Sequence, residues 1–226
     1  DWWTSLKHFN ESWYSRGPRK FFLDGAFSTY SAWLFEPYAD RPETRGSGMA
    51  VEEIVAFLKR STRMGRQTAS HAIGDAAVQA YLDATERLSD RIATADLRHR
   101  IEHAQLVRES DIPRMARLGV VVSAQPHAAA EPEKDLRLLG HARASRAYPF
   151  RSLLDAGVRP AFGSDYPGEN SFDPLFGIHL AVNRSPGPET PSVGADEAIT
   201  PEEALAAYTS GAAFAEFAEG SKGRIS

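Results

Sequence analysis

The sequence predicts an α/β fold built from parallel strand–helix units. Short runs of β type alternate with runs of helical periodicity along most of the chain. The β runs end in turn signals or polar residues, as parallel strands do where they give way to the next helix. The composition, 42% hydrophobic and 25% charged, is that of an ordinary globular domain able to bury a core.

The elements follow in order. Lys20 to Leu23 is an apolar run that stops at Asp24 and Gly25. Val51 to Arg60 places apolar residues at helical spacing. Gln67 to His71 reads as extended, and Gly74 and Asp75 then open a helix through Val78, Tyr81 and Ala84. Arg98 to His103 alternates, with Glu102 on the face opposite His103. Asp111 to Leu118 reads as a helix with Ser110 as its cap, and Gly119 to Ser123 as a β-branched buried strand. Phe150 to Ala156 is helical. Val158 to Phe162 is a strand, ended by Gly163, Ser164 and Asp165. Thr200 caps a helix that has Pro201 in its first turn. About five such units make either a doubly wound sheet or part of an eight-unit barrel. Two long connections, from Glu36 to Ser47 and from Pro167 to Ala198, read as surface insertions or binding loops.

Several functions are disfavoured at once. A net charge of −4, with basic residues densest only at Arg60, Arg63 and Arg66, gives no basic face for nucleic acid. The absence of cysteine removes disulfides and thiolate metal sites. No apolar run is long enough to span a bilayer, and there is no basic-then-apolar leader, so no membrane partner is expected and the expected location is cytoplasmic. Asp1 is an unusual start, and the amphipathic stretch through Trp2, Trp3, Leu6, Phe9 and Trp13 reads as the inside of a longer or trimmed chain.

In parallel α/β folds chemistry gathers where strands end. Here the strand ends carry Lys20 and Asp24, then His71, His103 and Asp165. Two histidines and a carboxylate from separate strands are a common zinc set, and imidazole with carboxylate suits a borderline metal that activates water. Each residue also has a plainer reading. His71 and His103 could be core histidines, Asp165 a turn residue, and Lys20 a surface lysine. A lysine binds metal only when neutral or carbamylated. His127 could be a ligand or a substrate contact, whereas His8, His99, His141 and His179 read as surface or helix histidines.

The segments KFFLDGAFSTYSAWLFEPY, HAIGD, RHRIEHAQ, GVVVSAQP, SLLDAGVRPAFGSDYP and ITPEEALAAYTSGAA, taken as an ordered set, resemble the amidohydrolase superfamily. Within it they resemble the amidohydrolase-3 group, which includes N-substituted formamide deformylase-like enzymes. The resemblance runs from about Arg19 to the C-terminus. It implies a partial (β/α)8 TIM-type barrel, about strands 4–8, without strands 1–3 and without the family's small β-sandwich. Residues 1–18 would be a lead-in, 19–216 the barrel units, and 217–226 the start of a return to that sandwich. Lys20 would be the strand-4 lysine that bridges metals when carbamylated. His71 and His103 would be ligands from strands 5 and 6, and Asp165 the strand-8 ligand and proton acceptor. Asp24, Gly25, Gln125 and Pro126 would shape the substrate pocket. The family's HxH motif is absent from these residues.

The resemblance implies a hydrolase that opens C–N bonds of amide-like, N-acyl or N-formyl substrates with water activated by one or two divalent metals, zinc foremost. It also implies a small-molecule substrate and either a homo-oligomer or a separate N-terminal segment. This chain alone would be incomplete and inactive. Two competing readings are a non-catalytic partial barrel that binds a partner, and another metal-dependent barrel hydrolase such as a phosphoesterase. A nucleotide-binding fold is the weakest option, since no GxGxxG follows a strand.

Overall fold

The computed structural model describes residues 17–88, 96–169 and 171–225. Five strands form one sheet in sequential order, every pair parallel. They are β1 (Arg19–Phe22), β2 (Thr68–Ala72), β3 (Arg100–His103), β4 (Val121–Ala124) and β5 (Pro160–Phe162). Parallel neighbours need a crossover, and the chain supplies helices for it. α1 (Val51–Arg63) and α2 (Asp75–Glu86) follow β1 and β2, and α3 (Ile112–Arg117) follows β3. Between β4 and β5 lie a 3₁₀ turn (Pro126–Ala130), α4 (Pro132–Leu139), α5 (His141–Ala144) and α6 (Phe150–Asp155). This is one wall of a barrel with its helical jacket, not a doubly wound sheet, because the strand order never reverses.

Register fixes the two faces of the wall. Phe21, Ser70, Ile101 and Val122 sit in one row, and Phe22, His71, Glu102 and Ser123 in the next. The first row meets the helices: Ile101 and Val122 are fully buried, and Phe21 stacks on Phe57 of α1 with ring centroids 3.9 Å apart. Ile54 and Leu58 of α1 and Val78, Tyr81 and Leu82 of α2 complete this layer. Each such aliphatic side chain contributes roughly 1.5–3 kcal/mol by leaving water. Glu52 and Glu53 open α1 and Arg60 and Arg63 close it, which suits the helix dipole.

The Pro167–Ala198 stretch was expected to be a loop, but it contains α7 (Pro174–Asn183), opened by the Asp173 side chain accepting from Leu175 N at 2.9 Å. Its apolar residues surround the axis and leave no polar stripe, which hides the helix from a periodicity reading. After it, Thr200 and Glu203 form a capping box at the start of α8 (Pro201–Ala206). A π turn (Ala207–Gly211) leads on to α9 (Ala212–Ala215). This segment lines β5: Tyr208 meets Phe162 at 5.4 Å, and Ala215 packs on Val121 and Ala161. Gly211 passes so close that a Cβ there would lie 2.3 Å from Pro160 O. Among the described residues no helix is long and apolar enough to cross a membrane.

Candidate functional site

The strands place their C-terminal ends around a cleft of about 460 Å³. Lys20, His71, His103 and Asp165 all line it, so the structure brings together four of the side chains picked from sequence. His71 reaches it in regular register beside Phe22, the two rings 5.0 Å apart. His103 does not follow regular register. Simple alternation would send it to the helix side with Ile101. Instead its φ is 81° and that of Ala104 is 46°, which turns the strand end over. Its ring then meets that of His71 edge-on, with centroids 4.4 Å apart. A left-handed backbone at a residue with a Cβ costs on the order of 1–3 kcal/mol, a strain typical of sites the surrounding fold over-determines. Asp165 also has positive φ, 57°, and its carbonyl accepts from Gly168 N at 2.7 Å.

Both imidazoles are held neutral. Burial pushes the His103 pKa down to about 3, helped by the neighbouring His71 ring and the Lys20 ammonium. Burial also lowers His71, against the opposing pull of its bond to the Gly25 carbonyl at 3.0 Å. Asp24 Oδ1 is 3.6 Å from the same nitrogen, too far for a hydrogen bond, and a neutral ring makes no ion pair with it. The Gln125 Oε1 lies 2.7 Å from His103 Nδ1, so that nitrogen donates and the lone pair rests on Nε2.

Other predicted residues fall behind the cleft wall. Asp24 does not line the cleft. Its side chain is fully buried and accepts the backbone N–H groups of Trp33, Ile73 and Gly74 at 2.9, 3.0 and 2.8 Å. Burial still pushes its pKa up to about 7. It ties the β1 end to the start of α2. Gly25 is needed for space, since a Cβ would lie 2.0 Å from Ser31 Oγ. Gln125 and Pro126 are buried at the end of β4, where Gln125 orients His103 and Pro126 opens the 3₁₀ turn. His127 is also buried, with Nε2 bonded to Asp173 O at 2.9 Å and away from the main cleft. His99, expected at the surface or in a helix, is instead 4% exposed at the head of β3. Its Nδ1 accepts from Thr68 N at 3.1 Å. His8 lies outside the described residues.

Sequence reasoning missed the half of the cleft built from beyond β4: Glu131, Lys134 and Asp135, then Tyr148, and Glu169 after β5. The signal for Glu131, Lys134 and Asp135 was a charge-rich helix start, which reads as a solvated face.

The donor set fits a divalent metal in kind. Two neutral imidazoles, each with its tautomer set by a neighbouring acceptor, are what such an ion requires. It falls short in number, because among the described residues no three His, Asp or Glu side chains converge closely enough to hold an ion. A family model described as the amidohydrolase family matches residues 1–226. The chain belongs to the amidohydrolase family. This amidohydrolase chain is 35% identical over 229 residues to the putative amidohydrolase YtcJ of Bacillus subtilis, covering 100% of this chain and 42% of that protein. It is 33% identical over 168 residues to the N-substituted formamide deformylase of Arthrobacter pascens, covering 70% and 29%. A solved structure of an uncharacterized metal-dependent hydrolase from Pyrococcus furiosus superposes with a TM-score of 0.77 at 36% identity, covering 91% of this chain and 41% of the other. The chain thus spans about two fifths or less of the length of these relatives.

Proposed function

We propose that this amidohydrolase chain carries part of the centre of a metal-dependent hydrolase that opens C–N bonds of amide-like substrates, N-acyl or N-formyl amines among them. The observation that carries the reading is the neutral His71–His103 pair at adjacent strand ends, in one cleft with Lys20 and Asp165. His71 and His103 would hold the ion, with Asp165 and a carbamylated Lys20 completing it, and zinc suits these donors. A divalent ion there supplies Lewis acidity to the substrate carbonyl and to the attacking water.

The chain's own residues do the rest. Gln125 accepts from His103 Nδ1, which leaves the lone pair of the ring on Nε2. Asp165 accepts the proton lost by water and returns it to the departing amine, as base and then acid. Phe22, 60% exposed beside His71, offers an apolar surface to the substrate. Since fewer than three ligands converge among the described residues, a chain of these 226 residues alone should hold one ion weakly and turn over slowly.

Elemental analysis of the purified chain and of its His71→Ala and His103→Ala variants tests the reading. About one equivalent of metal, lost in both variants, is expected. Metal retained in both variants sinks the histidine assignment. Release of amine from an amide panel, with no release of phosphate from phosphate esters, separates the C–N reading from a phosphoesterase.

A further inference from the structure

The half of the cleft built from beyond β4 is acidic. Asp135 of α4 lines it while remaining 3% exposed. Its Oδ2 accepts the Tyr148 hydroxyl at 2.9 Å, and its Oδ1 has no hydrogen-bond partner among the described residues. A buried carboxylate oxygen without a donor is costly and calls for an explanation. Glu131 and Glu169 line the same part of the cleft, with Asp165 beside them. Lys134 is bonded to Glu131, and Lys20 stands on β1 over the Phe22 ring. Burial raises the Glu169 pKa against the opposing charge of Lys134, and the charges of Asp165, Glu131 and Asp135 raise it further.

These carboxylates are not set to ligate a metal, because no three of them converge as ligands must. An ammonium or guanidinium group needs no such convergence, because its several N–H donors reach separate acceptors at about 2.7–2.9 Å. We propose that Asp135, Glu131 and Glu169 form a subsite for a cationic group on the substrate, which selects amide-like substrates that carry a primary amine or guanidine several bonds from the scissile C–N bond. This rests on the amide reading above for the reaction, and on the acidic wall alone for the binding.

The test compares two probes of equal length by calorimetric titration: mono-N-formylcadaverine, which bears an ammonium, and N-formylpentylamine, which does not. The cationic probe should bind at least about tenfold tighter, the worth of one charge-assisted hydrogen bond. Glu169→Gln and Asp135→Asn should each cut that preference, and added salt should weaken it. Glu169 is on a loop, so its variant reports on the subsite even if Asp135→Asn disturbs packing. Equal binding of the two probes, no measurable binding of the amine, or a preference untouched by Glu169→Gln overturns the proposal. Formate release is followed separately. Preference without formate sinks the amide reading and leaves the subsite standing; formate without preference does the reverse.

Discussion

His103 donates from Nδ1 to Gln125 Oε1 at 2.7 Å, and this bond decides which imidazole nitrogen faces the cleft. Gln125→Leu keeps the approximate shape and removes the acceptor. Partners of this kind typically carry 10–100-fold in metal affinity or activity. The variant should therefore bind zinc about 10–100-fold more weakly in a chelator-competition titration, with its unfolding transition little changed. Unaltered affinity would show that the ring needs no such anchor.

Asp24 separates structure from substrate recognition. Removing its carboxylate leaves three buried backbone donors without their acceptor. Asp24→Ala should lose at least about 2 kcal/mol in urea unfolding. A fully stable variant with only a raised KM would restore Asp24 to the substrate pocket.

Gly25→Ala should loosen the bond from His71 to the Gly25 carbonyl, because the new methyl collides with Ser31 Oγ at 2.0 Å and Ser31 Cβ at 2.7 Å. Overpacking of this kind costs about 1–3 kcal/mol. Adding Ser31→Gly should recover much of the loss. Failure of that rescue would place the strain elsewhere.

His99 gives a pH signature. Burial lowers its pKa from 6.5 to about 4, so the unfolded chain takes up a proton before the folded one as pH falls. Its contribution to stability is complete above pH 6.5 and drains away down to about pH 4. Whatever advantage the wild type has over His99→Gln at pH 7.5 should shrink by about 2 kcal/mol at pH 5. Denaturant midpoints at the two pH values read this directly, and a constant difference would mean that folding leaves the His99 pKa where it stands in the unfolded chain.

Much of the wall was legible from sequence, because each strand and helix declares its own period. His71 and Asp165 could be read as strand-end residues for that reason. His103 lines the cleft, but its route there was not readable: a left-handed turn at a histidine leaves no mark in the residue pattern. That the Asp24 carboxylate serves three backbone donors, rather than facing the cleft, was not readable, because those donors come from distant parts of the chain. His99 was misread because its partner, the Thr68 backbone, is supplied by another strand. The acidic side of the cleft stayed hidden because Glu131 and Asp135 at the start of one helix meet Glu169, from beyond β5, only in the tertiary fold.

The sheet's order, in which every strand pairs with the one made just before it, bears on how the molecule comes into being. Within the sheet, each strand after β1 meets a template already in place, with loop closures kept short, whereas the contacts from Gln67 and Arg98 to Ala215 and Phe214 wait for the last helices. Assembly can then proceed vectorially from β1 towards β5, and the two histidines come together as soon as the third strand is laid down.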